Sequence, residues 1–296
     1  MTEVISKLQH QEFETGEFIH EKVRTFNECK KIIEGFPWDK ERENLKVGLT
    51  NPSITFQKRQ YNYLKLSTSY NQKFVLNYFN ESQELFSKTF NAYIDTLSLI
   101  EKYFNETSFD TTELRKENIW LKNVRQHFET QNFNFRVTFT SARKYLIKTS
   151  LISFYLTIAL IIIPVFIKNR HLEYYDYIVF GLISFLVGGG LNIILFINHY
   201  LFAKGNLLIL SRGNDNFYFG EVNNLTHYNK KEILNYTTIR HHSNRSPINE
   251  FAVLKIEMIN GDVIKIPSIF LDHYSWEKKL YNCKRLEKNR FPFVRN

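Results

Sequence analysis

The residues with the clearest chemical potential are the cations near the end of the chain. From Lys278 onward the sequence holds one acid, Glu287, and seven basic residues: Lys278, Lys279, Lys284, Arg285, Lys288, Arg290 and Arg295. Such clusters attract anionic lipid headgroups by about 1 kcal/mol per residue near a surface. We therefore predict that this tail docks on an anionic lipid surface. Nucleic acid is a competing polyanionic ligand, but we expect no nucleic-acid partner. The simplest alternative is that the basic residues form an ordinary solvated helix end.

A second, smaller group of basic residues lies earlier in the same region. Arg240, His241 and Arg245 are close in sequence and are typical of a small anion pocket. His241 and His242 are adjacent, so on a strand their side chains point to opposite faces and cannot hold one metal ion together.

Residue patterns that would indicate an enzyme are missing from the sequence. No glycine-rich phosphate loop, G-x-S-x-G elbow or H-E-x-x-H helix occurs. His127 is expected to be a partly exposed helix residue, and the acids after Trp38 a solvated face. The two cysteines, Cys29 and Cys283, are too few for a zinc site or a disulfide framework. We predict a non-enzymatic protein without a cofactor.

The element that would place the cations is a pair of uncharged segments in the middle of the chain. Residues 149–167 and 177–203 contain no charged side chain. A helix needs about 20 apolar residues to cross a bilayer about 30 Å thick. We predict two transmembrane helices joined by the short turn 168–176. The alternative is a pair of buried core helices.

The flanks of these segments predict their orientation. More Lys and Arg residues lie outside the pair than in its turn, and such residues stay cytoplasmic. We expect an inner-membrane protein that spans the lipid bilayer twice, with both termini cytoplasmic. The second segment contains Gly188, Gly189, Gly190 and Asn192, which predict a contact patch for helix packing or for a homo-oligomer through the transmembrane helices. The alternative is a flexible or pore-lining element.

The predicted organisation is that of an α+β membrane protein with three parts. Residues 1–142 form a mixed α/β domain, 143–205 the transmembrane hairpin and 206–296 an antiparallel β module. In the first domain, aromatic and β-branched runs predict a strand meander, an amphipathic pattern predicts a helix over 83–104, and a capping box at Asp110 predicts a second helix.

The last part follows a period of two. Leu207 to Leu210 and Phe251 to Ile259 are predicted strands, Asn260-Gly261 is a hairpin turn, and a terminal helix containing Trp276 runs over 272–287. Residues 145–296, in which the predicted hairpin is followed directly by this β module, resemble the bacterial pleckstrin-homology-like membrane proteins. The resemblance implies a binding scaffold, but it names no ligand, because such domains do not share one.

These observations lead to a functional hypothesis with an alternative from another class. We predict a membrane-anchored protein that presents two cytoplasmic domains and binds a protein partner or anionic lipid. The alternative is an immunity protein against an interbacterial toxin, or a membrane-disrupting defence effector.

Overall fold

The chain divides into two units, Met1–Asn132 and Phe133–Asn296, which are considered separately. The computed structural model describes residues 3–43, 49–59, 61–118, 123–148, 155, 175, 179, 190–241 and 250–294. The division lies N-terminal to the predicted end of the first domain at residue 142.

The first unit is built on one antiparallel sheet. Its strands are β1 (Val4–Gln9), β2 (Ile19–Arg24), β3 (Ser53–Arg59), β4 (Asn62–Thr68), β5 (Phe74–Phe79), β6 (Leu85–Phe90) and β7 (Arg115–Lys116). Its helices are α1 (Phe26–Gly35), α2 (Trp38–Glu41) and α3 (Leu97–Asn105), with 3-10 turns at Tyr93–Thr96 and Val124–His127. The sheet has seven strands in the order β2-β1-β3-β4-β5-β6-β7.

Strand alternation gives this sheet two different faces. On one face Leu64 and Leu66 of β4 pack with Ile33 of α1 and with Ile100 and Phe104 of α3 in the main core. On the other face a smaller apolar cluster consists of Tyr63, Phe79, Leu85, Val124 and Phe128. The second face also carries polar side chains from β1, β3 and β4, several of which are buried.

The predicted meander is confirmed by β3, β4 and β5, whereas the predicted helix over 83–104 is wrong in its first half. Residues Leu85–Phe90 pair with β5 as strand β6, and helix α3 starts only at Leu97. The error has a physical cause, since a spacing of four residues, as between Phe86 and Phe90, fits one face of a strand as well as one face of a helix. After Asp110 the structure has β7 and a 3-10 turn where the second helix was predicted.

The second unit contains two four-stranded sheets. Its strands are β8 (Asn134–Arg136), β9 (Asn206–Ile209), β10 (Asn216–Glu221), β11 (Asn224–Asn229), β12 (Ile233–Arg240), β13 (Ala252–Met258), β14 (Val263–Pro267) and β15 (Arg285–Asn289). Its helices are α4 (Phe139–Leu146), α5 (Leu191–Ala203) and α6 (His273–Lys279), with a 3-10 turn at Lys230–Glu232. The sheet orders are β11-β10-β9-β8 and β14-β13-β12-β15.

Both sheets contribute to one core. Leu208 and Phe217 from the first sheet pack with Leu254 and Ile266 from the second, and Trp276 of α6 is fully buried among them. Strand β8 completes the first sheet by pairing antiparallel with β9. A β module that started at residue 206, as predicted, would lack this strand.

The predicted fold class of a membrane protein with a two-helix hairpin is corrected by the helices that the structure contains. Among the described residues, no helix is both long enough and apolar enough to cross a bilayer. The described end of the second predicted span is α5, whose 13 residues extend about 20 Å. One face of α5 packs within its own unit: His199 Nε2 donates to the Pro292 carbonyl at 2.6 Å, and Asn198 Oδ1 accepts from Val294 N at 2.8 Å.

The other predictions for this segment have the same outcome. Except for Tyr155 and Val179, residues 149–167 and 177–189 lie outside the described residues. The inner-membrane localisation with two spans, and the oligomer through transmembrane helices, depended on the hairpin and are corrected with it. In the packing patch, Gly188 and Gly189 also lie outside the described part of the chain, and helix contact through Gly190 and Asn192 stays a prediction.

The predicted terminal helix over 272–287 is shorter in the structure. Helix α6 begins after Asp272, whose Oδ1 accepts a hydrogen bond from Ser275 N at 3.0 Å, and ends at Lys279. The following residues form β15, which pairs with β12 in parallel. The predicted hairpin turn is confirmed, with Gly261 in the left-handed region at φ 91°.

Candidate functional site

Strand β15 divides the basic tail between two faces of its sheet. Arg285 and Glu287 are in register with Tyr236 and Thr238, which are buried. Leu286 and Lys288 are in register with Thr237 and Ile239 and therefore lie on the opposite, outer face. Lys284 continues this outer face two residues before Leu286, and its carbonyl accepts from Tyr236 N at 2.9 Å.

Neighbouring strands add two more lysines to the same outer face. Thr237 is in register with Lys255 of β13, which is in register with Lys265 of β14. Only one acid from these strands, Glu257, shares this face among the described residues. We call Lys255, Lys265, Lys284 and Lys288 together the cationic face.

The four lysines of the cationic face differ in how strongly they are held. Lys255 Nζ lies 2.5 Å from Glu257 Oε1, and Lys265 Nζ donates to the Val294 carbonyl at 3.1 Å. Lys284 and Lys288 are exposed, and Leu286 between them exposes 43% of its surface. The cationic face therefore offers two accessible ammonium groups beside an apolar side chain.

Two residues of the predicted lipid-binding tail have other partners. Lys279 is only 5% exposed, and its ammonium lies 5.0 Å from the ring centre of Phe133 and 5.4 Å from that of Phe135. Arg285 pairs with Glu277 at 2.8 Å and also with Glu287. Cation–π contact and ion pairing therefore occupy both side chains.

The other predicted members of the tail remain compatible with an anionic ligand. Lys278 and Arg290 are exposed, but neither belongs to a strand of the cationic face. Arg295 lies outside the described residues. Their role in lipid binding stays a prediction.

The predicted anion pocket stays a prediction, because only two of its three residues, Arg240 and His241, are among the described residues. Arg240 Nη1 lies 3.1 Å from His273 Nε2, and Arg240 Nη2 lies 3.3 Å from Glu287 Oε1. Burial, and secondly the charge of Arg240, lower the pKa of His273, so the ring is a neutral acceptor. The ring of His241 instead stacks on Phe291 with 4.9 Å between the ring centres. Arg245 lies outside the described part of the chain.

The acidic segment around Trp38 in the first unit has a structural role. Trp38 is buried, and its Nε1 donates to the Ile33 carbonyl at 2.8 Å. Glu41 accepts hydrogen bonds of 2.7 Å from His10 Nδ1 and from Gln11 N. Burial raises the pKa of Glu41, but these hydrogen bonds outweigh burial and lower it, which keeps the carboxylate charged.

His127 is partly exposed, as predicted, and lies at the end of the 3-10 turn Val124–His127. Its Nδ1 lies 2.8 Å from Thr50 Oγ1, within hydrogen-bond distance. Burial, and secondly the charge of Lys65, lower the pKa of His127 to about 4. The ring is therefore neutral at physiological pH.

No group of three or more His, Cys, Asp or Glu side chains in the described ranges could hold a metal ion. Cys29 and Cys283 are free thiols, and burial raises the pKa of each. Both thiols are therefore protonated and weakly nucleophilic at physiological pH.

Sequence reasoning missed the most unusual titratable residues of the molecule. Lys7 and Lys65 expose 1% and 0% of their surface on the second face of the first unit's sheet. The available signal was strand alternation, because Lys65 stands between Tyr63 and Ser67 at every second position of β4. The alternation of residues along β4 could not by itself show that other segments cover this face of the sheet.

Comparison with known proteins identifies the second unit's architecture. Residues 134–279 match a family model described as a PH domain, a range that begins with β8 and ends with α6. No curated protein matches the chain. No solved structure matches it either. The predicted resemblance to a PH-like module is thus confirmed for this range, without support for a membrane hairpin, and a PH domain suggests lipid or protein binding.

Proposed function

We propose that the second unit is a non-enzymatic binding module that docks on an anionic lipid surface through its cationic face. The observation that carries this proposal is the register of β15, which puts Lys288 and Leu286 on the same outer face as Lys255 and Lys265. The PH-domain match over residues 134–279 supports a binding function for the unit.

The geometry suits a flat anionic surface better than a single enclosed anion. Lys284 and Lys288 are four residues apart on an extended segment, which separates their Cα atoms by about 13 Å. Each ammonium near an anionic surface contributes about 1 kcal/mol, and Leu286 between them can add apolar contact. Because the interaction is electrostatic, it should weaken as salt screens the charges.

Vesicle flotation with the full chain tests the proposal. We expect more protein to float with vesicles of phosphatidylcholine mixed with phosphatidylserine than with phosphatidylcholine alone, and less at high salt. The double variant Lys284→Gln/Lys288→Gln should lower the affinity for the anionic vesicles by about 30-fold, since two lysines contribute about 1 kcal/mol each.

The matched control is Lys144→Gln/Lys204→Gln, which removes two exposed lysines that lie outside the cationic face. It should change vesicle affinity much less than the test variant. Equal flotation with neutral and anionic vesicles, or equal loss in both double variants, would contradict the proposal.

A protein partner is the second candidate, and a separate observation favours it. Leu234, Ile259 and Val263 are exposed by 58%, 67% and 52% where β12, β13 and β14 approach the Asn260-Gly261 turn. Apolar side chains grouped in this way are typical of a protein interface. A photo-crosslinker at Val263 should then capture one specific partner that a crosslinker at the exposed Tyr274 does not capture.

A further inference from the structure

A row of buried polar side chains crosses the second face of the first unit's sheet. Lys7 on β1 is in register with Thr55 on β3, which is in register with Lys65 on β4. The three residues share one face and expose 1%, 0% and 0% of their surface. Two lysine side chains therefore flank one threonine side chain inside the protein.

The ammonium of Lys65 has neutral partners only. It donates to Gln9 Oε1 at 2.9 Å, to the Leu49 carbonyl at 2.8 Å and to the His127 carbonyl at 3.0 Å. These bonds use its three N–H groups and hold β1 and two covering segments in place. Among the described residues no carboxylate pairs with Lys65, so its charge is hydrogen-bonded without being neutralised.

The ammonium of Lys7 keeps donor capacity. It donates one hydrogen bond, to Thr130 Oγ1 at 3.1 Å, and lies 5.8 Å from the ring centre of Tyr63. Glu21 and Glu129 act on it only at longer range: burial lowers the pKa of Lys7 more than these two acids raise it. Among the described residues no second acceptor is bonded to Lys7, so two of its N–H groups are available to a further acceptor.

Thr55 supplies a third donor between the lysines. Its Oγ1 is buried and has no hydrogen-bond partner among the described residues. An unpaired buried hydroxyl costs about 1–3 kcal/mol, so native structures rarely keep one without a ligand or water.

The partly exposed ring of Phe18 closes this site from outside. Its centre lies 4.6 Å from Lys7 Nζ and 5.6 Å from Lys65 Nζ. The ring therefore lies over both charged groups.

We propose that the first unit binds one small oxyanion, of the sulfate or phosphate type, beneath Phe18, where Lys7 and Thr55 donate to it and Lys65 supplies a second positive charge. Lys65 buries a charge without an acidic partner among the described residues, which is costly, and a bound oxyanion removes that cost while it satisfies the Thr55 hydroxyl. This site is in the first unit, so it does not rest on the function proposed for the second.

Titration calorimetry of the full chain with sodium sulfate tests the site, with sodium chloride used to keep ionic strength constant. We expect one sulfate per chain at about pH 6.5, where Lys65 is largely protonated. Lys7→Met should abolish measurable binding, and Lys65→Met should weaken it by about tenfold or more because one buried charge is lost. Thr55→Val, which keeps the shape of the side chain, should weaken it by about five- to tenfold.

The controls are chosen to separate this site from surface charge. Lys88→Met removes a lysine of the same unit that pairs with Glu113, and Lys144→Met removes an exposed lysine of the second unit that lies outside the cationic face. Both variants should bind sulfate as the unmodified chain does. A circular dichroism spectrum identical to that of the unmodified chain shows that Thr55→Val still folds, so its result decides the question if Lys7→Met does not fold.

A second readout is the dependence of sulfate affinity on pH, since the charge of sulfate is constant over this range. Burial, and secondly the charge of Lys7, lower the pKa of Lys65 to about 7. His127 is neutral throughout, because its pKa is about 4. Affinity should therefore fall several-fold between about pH 6.5 and pH 9. Absence of sulfate binding, or equal binding in Thr55→Val and Lys88→Met, would overturn the proposal.

Discussion

Lysines on one sheet face of each unit are placed in opposite environments. In the first unit Lys7 and Lys65 are buried beneath Phe18, and in the described part of the chain neither has an acid as a hydrogen-bond partner. In the second unit Lys284 and Lys288 are exposed on an edge segment of the sheet. The lysine charge is thus buried away from solvent, at a cost in free energy, in the first unit, whereas it is exposed to solvent in the second.

This contrast teaches that the position of a lysine, rather than its presence, determines what it can do. A buried ammonium changes stability with pH and attracts a small counterion, because its desolvation is large. An exposed ammonium contributes little to stability and acts mainly at long range on anionic surfaces. We therefore expect the unfolding free energy of the first unit to depend on pH through its buried lysines, and that of the second unit to depend little on its exposed lysines.

The largest expected effect is on the apolar core that supports the exposed lysines. Trp276 is fully buried in the second unit, and Trp276→Ala should lower the unfolding free energy of that unit by about 3–5 kcal/mol. Denaturant unfolding monitored by circular dichroism measures this loss. A loss below about 1 kcal/mol would mean that the described core does not carry the stability of the unit.

The next effect is a rise in the stability of the first unit with pH. The folded pKa of Lys65 is about 7, below the value of 10.5 for a free lysine, so between these values the unfolded chain binds more protons. The unfolding free energy should therefore increase with pH, by about 3 kcal/mol between pH 7 and pH 9.5. Lys7 acts in the same direction, because its pKa is also lowered. Hydrogen exchange of the β4 amides measures the change, and a flat profile would contradict the burial of a charged Lys65.

A smaller effect is expected when Lys65 itself is replaced. At about pH 9.5 Lys65→Met should cost about 2 kcal/mol, because the acceptors on Gln9, Leu49 and His127 lose a donor. At about pH 6 this cost should shrink or reverse, since the variant no longer buries a charge. The same exchange measurement at both pH values tests the prediction, which fails if the cost does not depend on pH.

Part of the fold follows directly from local sequence patterns. Alternating apolar residues and the turn at Asn260-Gly261 correctly predict β13, β14 and the meander of β3, β4 and β5. Strand β8 could not be assigned to its sheet in the same way, because its partner β9 lies far along the chain. Strand β15 was missed because its charged sequence resembles a solvated helix end.

The membrane prediction failed for a different physical reason. Hydropathy records how apolar a segment is and does not record what the segment packs against. In α5, Asn198 and His199 hydrogen-bond to the backbone of Val294 and Pro292, which the uncharged run of residues could not reveal. The same limit applies to the first unit. The burial of Lys65 depends on the segments that cover its sheet face, and the local sequence does not show them.

Predictions for the candidate site depended on register in the same way. The sequence identifies the basic tail, but only the pairing of β15 with β12 separates Lys288 on the outer face from Arg285, which pairs with Glu277. Lys278 and Lys279 are neighbours, yet one is exposed and the other lies against Phe133.

The smallest expected effect is the most direct test of the contrast between the units. Lys288 is exposed and has no acid within ion-pair distance among the described residues, so Lys288→Met should change the unfolding free energy by less than about 0.5 kcal/mol at any pH from 6 to 9.5. Lys65→Met, the same substitution in the first unit, should depend strongly on pH over that range. Unfolding of both variants under identical conditions makes the comparison. If Lys288→Met showed the pH dependence of Lys65→Met, burial would not be the cause of that dependence, because Lys288 is exposed.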